Sequence, residues 1–134
     1  IEAEIEAECL SLLKLFKLDH KKDYIAKNLP YGEQRKLEMA RALATRPKLL
    51  LLDEPAAGMN PKETKDLTEL IRWIRDYFKI SIVLIEHDMN LVMELAEKIY
   101  VLDYGNLIAS GTAKDIQNNK KVIEAYLGTE EISS

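Results

Sequence analysis

The stretch Leu29–Pro61, LPYGEQRKLEMARALATRPKLLLLDEPAAGMNP, decides how the chain folds. At its centre Leu49, Leu50, Leu51 and Leu52 form a short aliphatic run, the pattern of a strand buried on both faces of a parallel sheet. Asp53 and Glu54 follow directly. Carboxylates at the C-terminal end of such a strand stand where open α/β sheets take their ligands. Upstream, Pro30-Tyr31-Gly32 opens a helix expected to run to about Thr45, where Arg46-Pro47 stops it. Downstream, Asn60-Pro61-Lys62-Glu63 starts another, with Asn as N-cap, Pro at the first helical position and Glu two residues later.

Outward from this stretch, helices and strands alternate. Ile5, Cys9, Leu12 and Phe16, with Leu13 beside them, predict an amphipathic helix over Ile1–Leu18. Glu2, Glu4, Glu6 and Glu8 crowd its start, where the helix dipole favours negative charge. Asp19–Asn28 is polar and lysine-rich and reads as a loop with a short helical turn. Leu67, Leu70, Ile71, Ile74, Tyr77 and Phe78 keep helical spacing after Pro61, with Trp73 off the stripe and free to pack on a neighbouring element. Ile80–Ile85 is a second buried-type strand, rich in β-branched residues. Asp88 is expected to cap a helix to about Lys98. Ile99–Asp103 and Leu107–Ser110 read as strands joined by a tight turn at Tyr104-Gly105-Asn106. Thr112–Asp115 has the form of a capping box, and Val122–Leu127 is a last helix with Gly128 as its C-cap and a frayed tail from Thr129. The alternation predicts an α/β fold with a largely parallel sheet flanked by helices.

Taken in order, these motifs resemble one family, the ATP-binding-cassette (ABC) ATPases, over roughly Ala7 to Gly128. Leu29-Pro30-Tyr31-Gly32-Glu33-Gln34 is similar to the signature motif, usually LSGGQ. Leu49–Pro55 resembles the Walker B strand with its catalytic glutamate, Ala57-Gly58-Met59-Asn60 the D-loop, and Ile85-Glu86-His87-Asp88 the switch histidine. AAGMNP and IEHDM look most like the ATP-binding subunits of branched-chain amino acid importers. The resemblance implies a P-loop NTPase-type fold, present in part. Residues 1–47 would belong to the helical subdomain, 48–111 to the sheet with its motifs, and 112–134 to the C-terminal helices and tail.

It also implies roles. Asp53 would hold Mg²⁺ through water, since magnesium keeps several waters and takes one or two carboxylates. Glu54, the next residue along the strand, would face the attacking water as general base. His87 would sense the γ-phosphate and bond Glu54 or that water. Tyr31, Gly32, Glu33 and Gln34, with Gly58 and Asn60 of the D-loop, would meet ATP held by a second ABC ATPase subunit in a head-to-tail dimer. Pro30 and Tyr31 depart from the usual Ser and Gly, so a side-chain phosphate contact at Pro30 is not expected. Asn60 replaces the usual Asp and can hydrogen-bond without charge. The implied cofactors are ATP and Mg²⁺. The implied partners are that second subunit, integral-membrane permease subunits, and an N-terminal half carrying Walker A. The chain would then lie at the inner face of the cell membrane, held there by its partners.

Composition narrows the alternatives. A net charge of −4 argues against a protein that coats nucleic acid, and 31% charged with 47% hydrophobic residues fits a globular domain. No apolar run approaches the ~20 residues that cross a bilayer. Cys9 is alone, so no internal disulfide forms. No G-x-x-x-x-G-K-[ST] phosphate loop occurs, and the chain begins without Met in mid-pattern, as expected of a piece of a longer protein. The resemblance places the strand leading into that loop between Ile80–Ile85 and Ile99–Asp103, and without it the sheet should have a gap or rearrange. Three other readings stand beside the importer ATPase: a non-catalytic dimerising or regulatory fragment, a non-transport ABC ATPase, and a metallohydrolase on Asp53, Glu54, Glu86, His87 and Asp88.

Overall fold

In the computed structural model, which describes residues 1–127, the chain begins with α1 (Glu2–Leu15). Its expected apolar stripe is buried only near the C-terminal end. Ile5 and Cys9 are exposed, Leu12 and Leu13 half-buried, and Phe16 just beyond the helix is buried. Two short 3-10 turns, Asp19–Lys21 and Ala26–Asn28, lead to α2 (Tyr31–Leu43), which buries Met39, Ala40 and Leu43.

Strand β1 (Leu49–Asp53) pairs in parallel with β2 (Ser81–Ile85), from Leu49 against Ser81 to Asp53 against Ile85. The crossover between them is α3 (Pro61–Phe78), the longest helix among the described residues. Its start has the expected Asn60 N-cap, closed into a capping box: Asn60 accepts from the Glu63 N–H at 2.9 Å, and Glu63 accepts from the Asn60 N–H at 2.9 Å. Leu67, Ile71 and Ile74 drive into the core with Phe16, Leu18, Met39, Leu43, Leu50 and Leu91. Trp73 packs edge-on against Phe16 at 5.8 Å, so the off-stripe tryptophan ties α3 to the end of α1.

The expectation that β1 is buried on both faces is corrected here. Leu50 is buried and Leu52 half-buried, but Leu51 is 68% exposed, as are Val83 (52%) and Ile85 (60%) on β2. The core cluster packs on one face of the pair; among the described residues nothing covers the other. Alternation along each strand therefore sorts equally aliphatic side chains into buried and bare sets.

Asp88 caps α4 (Met89–Leu95) by accepting from the Leu91 N–H at 3.2 Å. The helix stops before the expected Lys98. It serves two cores: Leu91 packs with α3, while Met89, Val92 and Met93 face a second cluster around Ile99, Val101, Ile116 and Val122. That cluster rests on the antiparallel hairpin of β3 (Ile99–Asp103) and β4 (Asn106–Gly111). Its two-residue turn has Tyr104 at φ 48° and Gly105 at φ 79°, the left-handed pair that suits the twist of a hairpin. A second capping box, Thr112 with Asp115, starts α5 (Ala113–Gln117). A short α6 (Lys120–Val122) continues as a π turn over Ile123–Leu127. The expected C-cap at Gly128 and the tail lie outside the described residues.

Among the described residues β2 and β3 share no ladder, so the strands form two separate two-stranded sheets with the anticipated gap. The β1–β2 pair is parallel and flanked by helices, the expected α/β arrangement, and β3–β4 is the antiparallel hairpin that its tight turn predicts.

Candidate active site

The parallel pair carries its chemistry at one end. Asp53 and Ile85 close the ladder, and the Glu54 N–H extends it by one bond to the Ile85 carbonyl at 2.7 Å. Beyond that bond the two chains separate, one into Glu54–Asn60 and the other into Glu86–Asp88.

Glu54 takes up left-handed backbone, φ 44°. Strand β1 ends at Asp53, so Glu54 is the first residue of the turn that follows it. A side chain in this conformation costs ~1–2 kcal/mol relative to right-handed backbone. The turn brings the half-exposed Glu54 carboxylate to 3.3 Å from Nδ1 of His87, whose side chain is 70% exposed. Two residues 33 positions apart are thus joined at the C-terminal ends of adjacent strands. Asp53 is exposed beside them and takes part in no ion pair among the described residues. One free carboxylate suits a magnesium ion that keeps most of its water. No group of three or more His, Cys, Asp or Glu side chains able to hold a metal ion occurs among the described residues.

The signature-like segment lies close by. Tyr31 donates from its hydroxyl to the Ala57 carbonyl at 2.8 Å, joining the start of α2 to the loop after β1. Arg35 donates to the Tyr31 hydroxyl oxygen from Nε at 3.0 Å and Nη2 at 2.6 Å, and these bonds hold its pKa above the ordinary arginine value. Glu33 is paired with Lys21 at 2.6 Å. The Gln34 amide donates to the Lys27 and Leu29 carbonyls at 3.1 and 2.8 Å. The side chains of Tyr31, Glu33 and Gln34 are therefore engaged inside the chain. Gly32 differs. It has no positive φ, and a Cβ there would meet nothing within 4 Å. Neither packing nor dihedral demands glycine at this position. Among the described residues no side chain caps α2, so the first N–H groups of the helix lack a capping partner. Gly58 has φ 77°, so its glycine answers a turn.

Sequence reading gave Glu86 no part in the ATPase site and named it only in the metallohydrolase alternative. Its side chain is 1% exposed, against 70% for its neighbour His87. The signal was present in the strand's phase: Ile82, Leu84 and Glu86 recur every second residue on the covered side. A carboxylate in a buried phase calls for partners, and Glu86 has them. Its Oε2 accepts from the Ala56 N–H at 3.1 Å; its Oε1 accepts from the N–H groups of His87 at 3.1 Å and Asp88 at 3.4 Å.

A parallel strand pair ending in Asp-Glu and Glu-His lies beside a helix opened by Tyr31-Gly32, and the chain is similar to proteins of the ABC transporter family. Residues 2–57 match the ABC transporter family, and residues 106–132 match the branched-chain amino acid ATP-binding cassette transporter family. The chain is 56% identical over 103 residues to the high-affinity branched-chain amino acid transport ATP-binding protein LivG of Escherichia coli (strain K12), covering 77% of this chain and 40% of LivG. It is 38% identical over 130 residues to a probable LivG of Archaeoglobus fulgidus, covering 97% of this chain and 50% of that protein. Among solved structures, the ADP conformation of MJ1267, an ATP-binding cassette of an ABC transporter, superposes with a TM-score of 0.84 at 31% identity, over 93% of this chain and 50% of MJ1267. The chain thus spans half the length, or less, of these relatives. No helix among the described residues is long and apolar enough to cross a membrane.

Proposed function

We propose that the chain is the C-terminal portion of the ATP-hydrolysing subunit of an ABC importer for branched-chain amino acids. The observation that carries this reading is the 3.3 Å approach of His87 to Glu54 at the end of the parallel pair. The relatives' names, branched-chain amino acid transport ATP-binding proteins, support that choice of solute class.

Asp53 would hold Mg²⁺, which offsets charge on the transferring phosphoryl group. Glu54 takes the proton of the attacking water, and His87 fixes the carboxylate that does so. The free N–H groups at the start of α2, with Gly32 leaving room for close approach, take the phosphates of a nucleotide bound by a second ABC ATPase subunit. Gly58 and Asn60 belong to the same facing surface. Integral-membrane permease subunits convert opening and closing of that dimer into transport and keep the assembly at the inner membrane face.

The sequence holds no phosphate loop, so the chain by itself is proposed to be inactive, and a half carrying Walker A completes the pocket. The experiment is co-expression with such a half. Mg-ATPase activity should appear and fall about 10²-fold or more with Glu54→Gln, as for loss of a general base. Activity that survives Glu54→Gln undiminished would overturn the assignment.

A further inference from the structure

The end of the β1–β2 ladder poses a mechanical problem. The last backbone bond between the strands is from the Glu54 N–H to the Ile85 carbonyl. Past it, Glu54 and His87 sit on separate turns. Glu54 is held in left-handed backbone that favours relaxation, and both side chains are more than half exposed. A single exposed contact at 3.3 Å does not hold two turns in register.

We propose that Glu86 is the positioning residue of this site, a buried carboxylate that locks the loop bearing Glu54 to the loop bearing His87. Its two oxygens divide the task. Oε2 takes the Ala56 N–H on the β1 side, and Oε1 takes the His87 and Asp88 N–H groups on the β2 side. An ionised carboxylate accepts at both oxygens, and such charge-assisted bonds are the strong ones. Burial makes the arrangement close to all-or-none, since a buried acceptor that loses a donor has no water to replace it. Oε1 also lies 3.7 Å from His87 Nδ1, so the same atom faces the imidazole nitrogen that meets Glu54. Glutamine has the same shape but one acceptor oxygen. Its NH₂ would confront an N–H donor on one side, so Glu86→Gln can hold one loop and not both.

The role rests on the proposed reading of Glu54 and His87 as the reacting pair, and the test separates the two. In the chain alone, without nucleotide, amide exchange at Ala56, His87 and Asp88 is compared between wild type, Glu86→Gln and Glu86→Asp. The imidazole ¹⁵N shifts of His87 are recorded alongside, with the remote His20 as internal control. In Glu86→Gln, exchange should accelerate about tenfold or more at Ala56 or at the His87–Asp88 pair, with the Glu54 amide unchanged. The His87 nitrogens should move towards the His20 pattern. Glu86→Asp keeps the charge and should retain part of both effects. Unchanged exchange and unchanged His87 shifts in folded Glu86→Gln would overturn the proposal. Should that variant unfold, the wild type decides: Ala56 and His87 amides exchanging as fast as Gly58, which has no backbone partner among the described residues, would overturn it too. ATPase activity with the phosphate-loop half tests the other reading. A broken clamp with a fully active Glu54→Gln enzyme would sink the catalytic assignment and leave the clamp standing.

Discussion

The Tyr31 hydroxyl donates to the Ala57 carbonyl at 2.8 Å while accepting from Arg35, so one phenol oxygen links the first turn of α2 to the loop after β1. Both segments belong to the surface proposed to face a second subunit, and this bond ties one to the other. Tyr31→Phe removes the bond and leaves the ring. The site is exposed, so the loss in unfolding free energy should be small, about 0.5–1 kcal/mol by urea denaturation. Amide exchange over Ala57–Met59 should accelerate. No change there would mean that the loop holds its shape without the tyrosine.

Glu54 pays in backbone energy for its placement. At φ 44° a Cβ is strained, and glycine is not. Glu54→Gly should therefore be more stable than Glu54→Ala by about 1 kcal/mol, the reverse of their usual order, although both lack the carboxylate. Paired thermal or urea melts decide it, and Ala equal to or above Gly would contradict the left-handed turn.

At the foot of the hairpin, a Cβ on Gly111 would lie 2.7 Å from Asp115 Oδ2 and 2.8 Å from its Cβ, and φ is 153°. Gly111→Ala must then displace the Asp115 side chain that accepts from the Thr112 N–H at 3.0 Å. A loss of about 1–2 kcal/mol is expected, the size of a helix cap with added strain.

The same cap sets a pH dependence. The hydrogen bond from the Thr112 backbone, then that from its hydroxyl, lower the Asp115 pKa below its ordinary 3.8. A depressed carboxylate contributes stability that is fully present above its unfolded value and lost as pH falls through the folded one. Protection of the Thr112 amide should hold at pH 5 and fail in the acid range below 3.8; loss that begins near neutrality would contradict the assignment.

The bare face of the parallel pair, with Leu51, Val83 and Ile85 side by side, predicts association. Sedimentation velocity should show concentration-dependent oligomers for the chain alone. Leu51→Lys with Val83→Lys should shift it towards monomer while changing stability by no more than about 0.5 kcal/mol, as at other exposed positions. A wild-type chain that stays monomeric at high concentration would remove the face from consideration.

What the sequence determined by itself was local. Helix α3 was legible from Asn60-Pro61 and its stripe, because a capping box forms between residues three apart and periodicity needs no partner. The same holds for the Asp88 cap, the Thr112 box and the Tyr104-Gly105 turn. The ordered set from Gly32 through Asp53, Glu54 and His87 announced the family before any geometry was known. Tertiary structure decided what depends on residues distant in the chain. Leu50 and Leu51 are equally aliphatic neighbours, yet one is buried and the other bare, because burial belongs to the surface opposite and not to the side chain. Glu86 and His87 are equally polar neighbours. The strand's phase turned the first inward to backbone N–H groups on two loops and left the second in the open against Glu54, a division that required both strands to be in register.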